Sequence, residues 1–311
     1  LGVIFAQQGD HQQALKHFEK ITKIKPDYVG GWSNRGISLQ ELQQYDQALA
    51  SYDKAISIKS DNAEAWSNRG IVLEQLNKIE QALASYDKAV RINPNYAEAW
   101  SNRGAALEAL KQYDQALASY DKAISISPAF AKAWTNRGNT LQALNQYEQA
   151  LSSHDKAISI NPNYAEAWSN RGNSFHALKQ YQQALASYDK SISINPTYAE
   201  AWSNRGAALE DFKQYELALA SFDKAISIDP AYAQAWTNRG NALTAIGLFK
   251  DAEVSHREAI RLDPGHLQAH SNLVMSLNYN DSLSPQYVLD EASQYGRKVS
   301  ELSKPKFETW D

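Results

Sequence analysis

Five residues, Trp32-Ser33-Asn34-Arg35-Gly36, return with their spacing intact at Trp66, Trp100, Trp134, Trp168, Trp202 and Trp236. Every step is 34 residues, and the only change is Thr for Ser after Trp134 and Trp236. A segment of this length cannot bury its own apolar face, so successive copies must stack on one another. Whatever the chain does therefore belongs to the stack and not to one copy.

Within one period the apolar residues fall on two stripes at helical spacing. Trp100, Gly104, Leu107 and Leu110 form the first, and Lys111-Gln112 interrupts it. Tyr113, Ala116, Leu117, Tyr120, Ala123 and Ile124 form the second, and Pro128 closes it. This predicts two antiparallel helices per copy. Glycine inside a helix costs about 1 kcal/mol relative to alanine. Its return at every copy therefore marks a close approach of the two helices.

The set Trp100, Gly104, Tyr113, Ala116, Tyr120, Ala123 and Pro128 resembles the tetratricopeptide repeat. The resemblance implies an all-α fold, a right-handed superhelical solenoid of antiparallel helix pairs. Seven full units run over 29–266, after a partial unit at 1–28 that keeps Gly2, Ala14, Phe18 and Pro26 in register. Departures are Ser60 for a closing Pro, Ser191 for an Ala, and His154 and His256 for aromatics. Residues 267–303 read as a half-repeat followed by a closing helix. Ser284 is its N-cap, Pro285 its first residue, and Val288, Ala292, Tyr295, Val299 and Leu302 its stripe. Residues 304–311 read as a linker to a downstream region, and the non-Met start at Leu1 reads as the interior of a longer protein.

A second resemblance lies at the junction. Ser271-Asn272-Leu273-Val274-Met275, Leu277-Asn278-Tyr279 and Asp281-Ser282-Leu283-Ser284-Pro285 are similar to the segment where repeats meet the catalytic region in O-linked N-acetylglucosamine transferases, the Spindly type included. The resemblance implies a substrate-recruiting arm of a protein glycosyltransferase, with no catalytic residue in this chain. The alternative is a stand-alone adaptor that assembles protein complexes.

The candidate binding residues are Asn34, Asn68, Asn102, Asn136, Asn170, Asn204 and Asn238, continued by Asn272. Two residues along a helix is a turn of 200°, so each Asn faces away from its Trp stripe. Glu98, Ala105 and Ala109 share the Asn102 face. A primary amide both donates and accepts, which suits it to an extended peptide backbone. In the transferase family such a row holds the substrate's backbone. The other reading is that each Asn bonds a neighbouring helix end and sets the stacking angle.

The Arg after each Asn has an acidic residue 16 positions earlier: Glu19–Arg35, Asp53–Arg69, Asp87–Arg103, Asp121–Arg137, Asp155–Arg171, Asp189–Arg205 and Asp223–Arg239. The pattern lapses on both sides together where Arg257 precedes Leu273. We read these as structural pairs between successive units. The Trp and Tyr rows read as core. Ser51-Tyr52-Asp53-Lys54 has a Ser-x-x-Lys form, but a nucleophile is not needed in copy after copy. His266 and His270 lack a third metal ligand nearby.

The remaining features narrow the partners. A net charge of −4 lacks the basic stripe that nucleic acid demands. The chain has no cysteine, which fits a reducing, cytoplasmic setting. No run of 18 apolar residues exists to span a membrane. The expected partners are extended peptide or protein segments, with self-association through the open N-terminal repeat edge. No cofactor and no metal is implied.

Overall fold

The structure is a computed structural model and describes residues 1–303. The linker at 304–311 and the Leu302 side chain lie outside the described residues. Among those described there are eighteen α-helices and no strand. They fall into two compact units, Leu1–Asn161 and Pro162–Asp311. The first holds α1 (Gly2–Gln7), α2 (His11–Ile24), α3 (Val29–Glu41), α4 (Tyr45–Ile58), α5 (Ala63–Gln75), α6 (Ile79–Ile92), α7 (Ala97–Ala109), α8 (Tyr113–Ile126), α9 (Ala131–Ala143) and α10 (Tyr147–Ile160). The second holds α11 (Ala165–Ala177), α12 (Tyr181–Ile194), α13 (Ala199–Asp211), α14 (Tyr215–Ile228), α15 (Ala233–Ala245), α16 (Phe249–Leu262), α17 (Leu267–Asn278) and α18 (Pro285–Ser303).

Each of the first eight hairpins turns on one residue in the left-handed region. Lys111 has φ 59° between α7 and α8, and Gln43, Asn77, Asn145, Lys179 and Lys213 repeat it. Glycine holds the same place at Gly9 and Gly247, where that backbone conformation carries no side-chain strain.

The repeated glycine has a specific neighbour. A Cβ on Gly104 would sit 2.6 Å from the Tyr120 ring. The ring of each second helix lies flat against the Gly of the first, which leaves Tyr52, Tyr86, Tyr120, Tyr188 and Phe222 fully buried. His154 and His256 fill the same slot and are also buried.

The tryptophans differ from the core expectation, being only part-buried. Trp66 and Trp100 flank the buried Ala89, Val90 and Ala99 at the junction of consecutive hairpins. An indole N–H needs an acceptor when it packs, and here it finds one at the hairpin edge. Trp100 Nε1 donates to the Pro94 carbonyl at 3.0 Å. Trp32, Trp66, Trp134, Trp168, Trp202 and Trp236 do the same to the residue six positions back. The closing residue thus supplies a carbonyl as well as a helix stop, which is why Ser60 serves where the other closing positions carry Pro.

At the last hairpin His270 takes the Trp place, with Nε2 3.3 Å from the Pro264 carbonyl. His266 caps α17, its Nδ1 accepting from the Ala269 N–H at 3.1 Å. Helix α18 starts as expected, with the Tyr287 N–H donating to Ser284 Oγ at 3.3 Å. Its stripe residues Val288, Ala292, Tyr295 and Val299 are only half-buried on the preceding hairpin. A polar contact adds to this docking: Arg257 bonds Glu253 and Glu291 at 2.8 Å each and the Tyr287 hydroxyl at 2.7 Å. Arg257 therefore has partners after all, Glu253 on its own helix and Glu291 and Tyr287 on α18.

Candidate peptide-binding surface

The row of arginines lies beside the tryptophans. Arg103 Nε is 2.7 Å from Asp87 Oδ1, on the second helix of the preceding unit. Arg69, Arg137, Arg205 and Arg239 stand at the same distance from Asp53, Asp121, Asp189 and Asp223. Arg35 reaches Glu19 at 3.4 Å. Each of these arginines also bonds forward. Arg103 Nη1 donates to Ser119 Oγ at 2.6 Å, and Ser119 donates to the Gln115 carbonyl at 2.8 Å. Ser51, the head of the Ser-x-x-Lys form, does this for Arg35 at 2.6 Å. The guanidinium of Arg103 lies 5.7 Å from the Trp100 ring centroid. One side chain thus joins the second helices of two repeats, α6 and α8, across α7.

The asparagines stand apart from this network. Among the described residues, the side-chain amides of Asn34, Asn68, Asn102, Asn136 and Asn204 have no hydrogen-bond partner, and all five are part-exposed. None of them reaches a neighbouring helix end. Asn170 differs and is 8% exposed. Asn238 Oδ1 accepts from Gln234 Nε2 at 2.8 Å. Asn272 Nδ2 donates to Asn241 Oδ1 at 2.8 Å, on the adjacent first helix.

In the first unit this face opens into a cleft of about 480 Å³. Ala105 and Ala109 of α7 and Ala143 of α9 leave the space, and Glu108, Lys111, Tyr113, Tyr120, Asn136 and Asn139 supply its polar groups. Glu108 escaped the sequence reading because its place in the period is not constant. It is held by the Tyr120 hydroxyl at 3.1 Å and by Thr140 Oγ1 at 2.8 Å.

The face is acidic. Tyr164 and Tyr198 each donate a hydroxyl bond of 3.2 Å to Glu166 and Glu200. Burial, then Glu200 and Glu166, hold the Tyr198 phenol well above its usual range. Tyr96 is raised by burial and by Glu64 and Glu98 beside it. Glu74 is raised by burial, while the Tyr86 hydroxyl and the Lys132 ammonium oppose the rise. The Tyr86 hydroxyl forms no bond of good geometry, so its effect on Glu74 is the weaker kind.

Family models described as tetratricopeptide repeat match residues 97–130, 131–164, 165–198 and 199–232, and again 1–28 and 233–266. A model described as TPR repeat matches 38–77 and 73–111. The chain belongs to the tetratricopeptide-repeat (TPR) family. Among solved structures this TPR chain is similar to one from the APC/C hetero-tetramer Cut9-Hcn1, with TM-score 0.68 and 18% identity, over 86% of this chain and 52% of that one. It is also similar to a tetratricopeptide repeat protein from Parabacteroides merdae ATCC 43184, with TM-score 0.63 and 20% identity, over 78% of this chain and 96% of that one. At these identities the likeness is one of fold. The TPR chain spans about half the length of the Cut9-Hcn1 chain it matches. No curated protein sequence matches it significantly. Among the described residues no helix is long and apolar enough to cross a membrane.

Proposed function

We propose that this TPR chain is a scaffold that binds extended protein segments by their backbone. The observation that carries the reading is the set of part-exposed amides at Asn34, Asn68, Asn102, Asn136 and Asn204, none of them bonded among the described residues. A net hydrogen bond is worth about 1 kcal/mol, and ordering one peptide residue costs roughly 1–2 kcal/mol. An amide making two bonds to each bound residue about breaks even. Affinity is therefore low per repeat, spread over several repeats and tolerant of peptide sequence.

Charge adds a bias. Glu64, Glu98, Glu166 and Glu200 stand one residue after the start of their helices, against Lys132 at the same place. Segments with Lys or Arg are favoured, and salt weakens them. The test is a titration with an unstructured glycine-serine peptide carrying a few lysines. Side-chain amide NMR signals of Asn34, Asn68, Asn102 and Asn136 shift on binding, and the Arg103 guanidinium signal does not. Unmoved amides alongside measurable binding would place the ligand elsewhere.

The narrower reading, an arm that recruits substrates for a protein O-glycosyltransferase, is favoured by the resemblance of residues 271–285 alone. The repeat-family matches end at residue 266, just before that segment. Reading the coding sequence beyond Asp311 tests it: a nucleotide-sugar transferase domain supports the arm, and any other content supports the adaptor.

A further inference from the structure

Glu108 and Glu210 occupy the same place in their repeats, three periods apart. Glu108 is held by two donors, the hydroxyls of Tyr120 and Thr140. The corresponding neighbours of Glu210 are Phe222 and Ala242. Both donors are gone, and the two replacements pack with Leu209 and Ala218 in a buried apolar cluster. Among the described residues the Glu210 carboxylate has no hydrogen bond and no ion pair. Its neighbour Asp211 is engaged by His176 Nε2 at 2.7 Å. The carboxylate is half-buried on an apolar wall, yet still reachable from solvent.

A half-buried acceptor without a donor carries an uncompensated desolvation cost. That cost disappears when a ligand brings the donor, so the interaction is stronger than at the already satisfied Glu108. The position of Glu108 in the peptide cleft of the first unit assigns the same face to Glu210 in the second. We propose that Glu210 is a subsite for an arginine side chain of the bound segment. Two observations select a cation over a neutral donor, and a guanidinium offers a lone carboxylate two parallel N–H donors. Asp211 stands beside Glu210 and adds negative charge to the same helix end. Burial first, and Asp211 second, push the Glu210 carboxyl up to about 7, as an uncompensated carboxylate must be.

The inference rests on the peptide-binding reading, and the test separates the two. An unstructured glycine-serine peptide with one arginine is compared with the same peptide carrying citrulline. The Glu210 carboxyl is followed by carbon NMR through a pH titration. The arginine peptide is expected to bind several-fold more tightly than the citrulline peptide and to bring the Glu210 titration down by a unit or more. Phe222→Tyr returns the hydroxyl that Tyr52, Tyr86, Tyr120 and Tyr188 carry in other repeats. It lowers the Glu210 titration without peptide, removes most of the arginine advantage and leaves citrulline binding unchanged. Equal binding of both peptides, lost on changing the asparagines, refutes the subsite and leaves the general reading standing. A Glu210 titration unmoved by the arginine peptide refutes the subsite in every case, and the absence of any peptide binding refutes both.

Discussion

Arg103 makes three contacts at once: an acid of the preceding unit, a serine of its own, and the face of Trp100. Arg103→Ala removes all three and leaves the Ser119 oxygen without the guanidinium donor, so it is expected to cost about 2 kcal/mol. Asp87→Ala is expected to cost less, about 0.5–1 kcal/mol, because the carboxylate is 41% exposed and screened. Urea unfolding of the two variants checks the order. His256 makes a different prediction. Burial lowers its pKa from the usual 6.5 to about 4, so the folded state holds it neutral. The stability it lends is present above pH 6.5 and is lost as pH falls toward 4, by up to roughly 3 kcal/mol. His256→Phe puts back the aromatic found at Phe222 and is expected to flatten that part of the pH–stability curve. Both residues show what could be read beforehand. The Arg–acid pairs were legible because they recur at a fixed spacing and lapse together. The serine partner was visible only as a Ser-x-x-Lys form with no use. Glu108 and Glu210 were not legible, since their position runs Gln40, Glu74, Glu108, Gln142, His176, Glu210 and Thr244. A period finds what every copy needs, and ligand contacts are where copies differ.

At the scale of helices, the hairpins turn on a left-handed residue that is usually not glycine. Lys111→Gly relieves backbone strain but frees the unfolded chain, and the net is expected to be stabilising by up to about 1 kcal/mol. Lys111→Val should destabilise, because a β-branched residue is poorly tolerated there. Paired thermal melts of these two variants check the sign. The last helix was legible as an element, from Ser284 and Pro285, but its attachment was not. Its apolar stripe is only half-buried, and the contact of Arg257 with Glu253, Glu291 and Tyr287 has no counterpart in the repeats from which to infer it. Arg257→Ala is expected to speed hydrogen exchange across residues 285–301 while leaving residues 97–126 unchanged. Equal exchange in parent and variant would show that apolar packing alone holds α18.

For the molecule as a whole, the 34-residue period dictated helix pairs and their stacking, and the structure has them within each of its two compact units. The function is less legible, because the period gives a face and not an occupant. Five asparagines whose amides have no partner among the described residues are the strongest statement that the face has one. Helix propensity does not explain them, since Asn is a poor helix former, and neither does packing, since none bonds a neighbouring helix. The measurement that bears most directly on this is the binding of an unstructured lysine-containing peptide to the parent and to a variant with Asn34, Asn68, Asn102 and Asn136 all changed to Ala. The parent is expected to bind weakly, with an affinity that falls as salt rises, and the variant to keep its helical circular dichroism while losing at least tenfold in affinity. A variant that folds and binds as tightly as the parent would contradict the account.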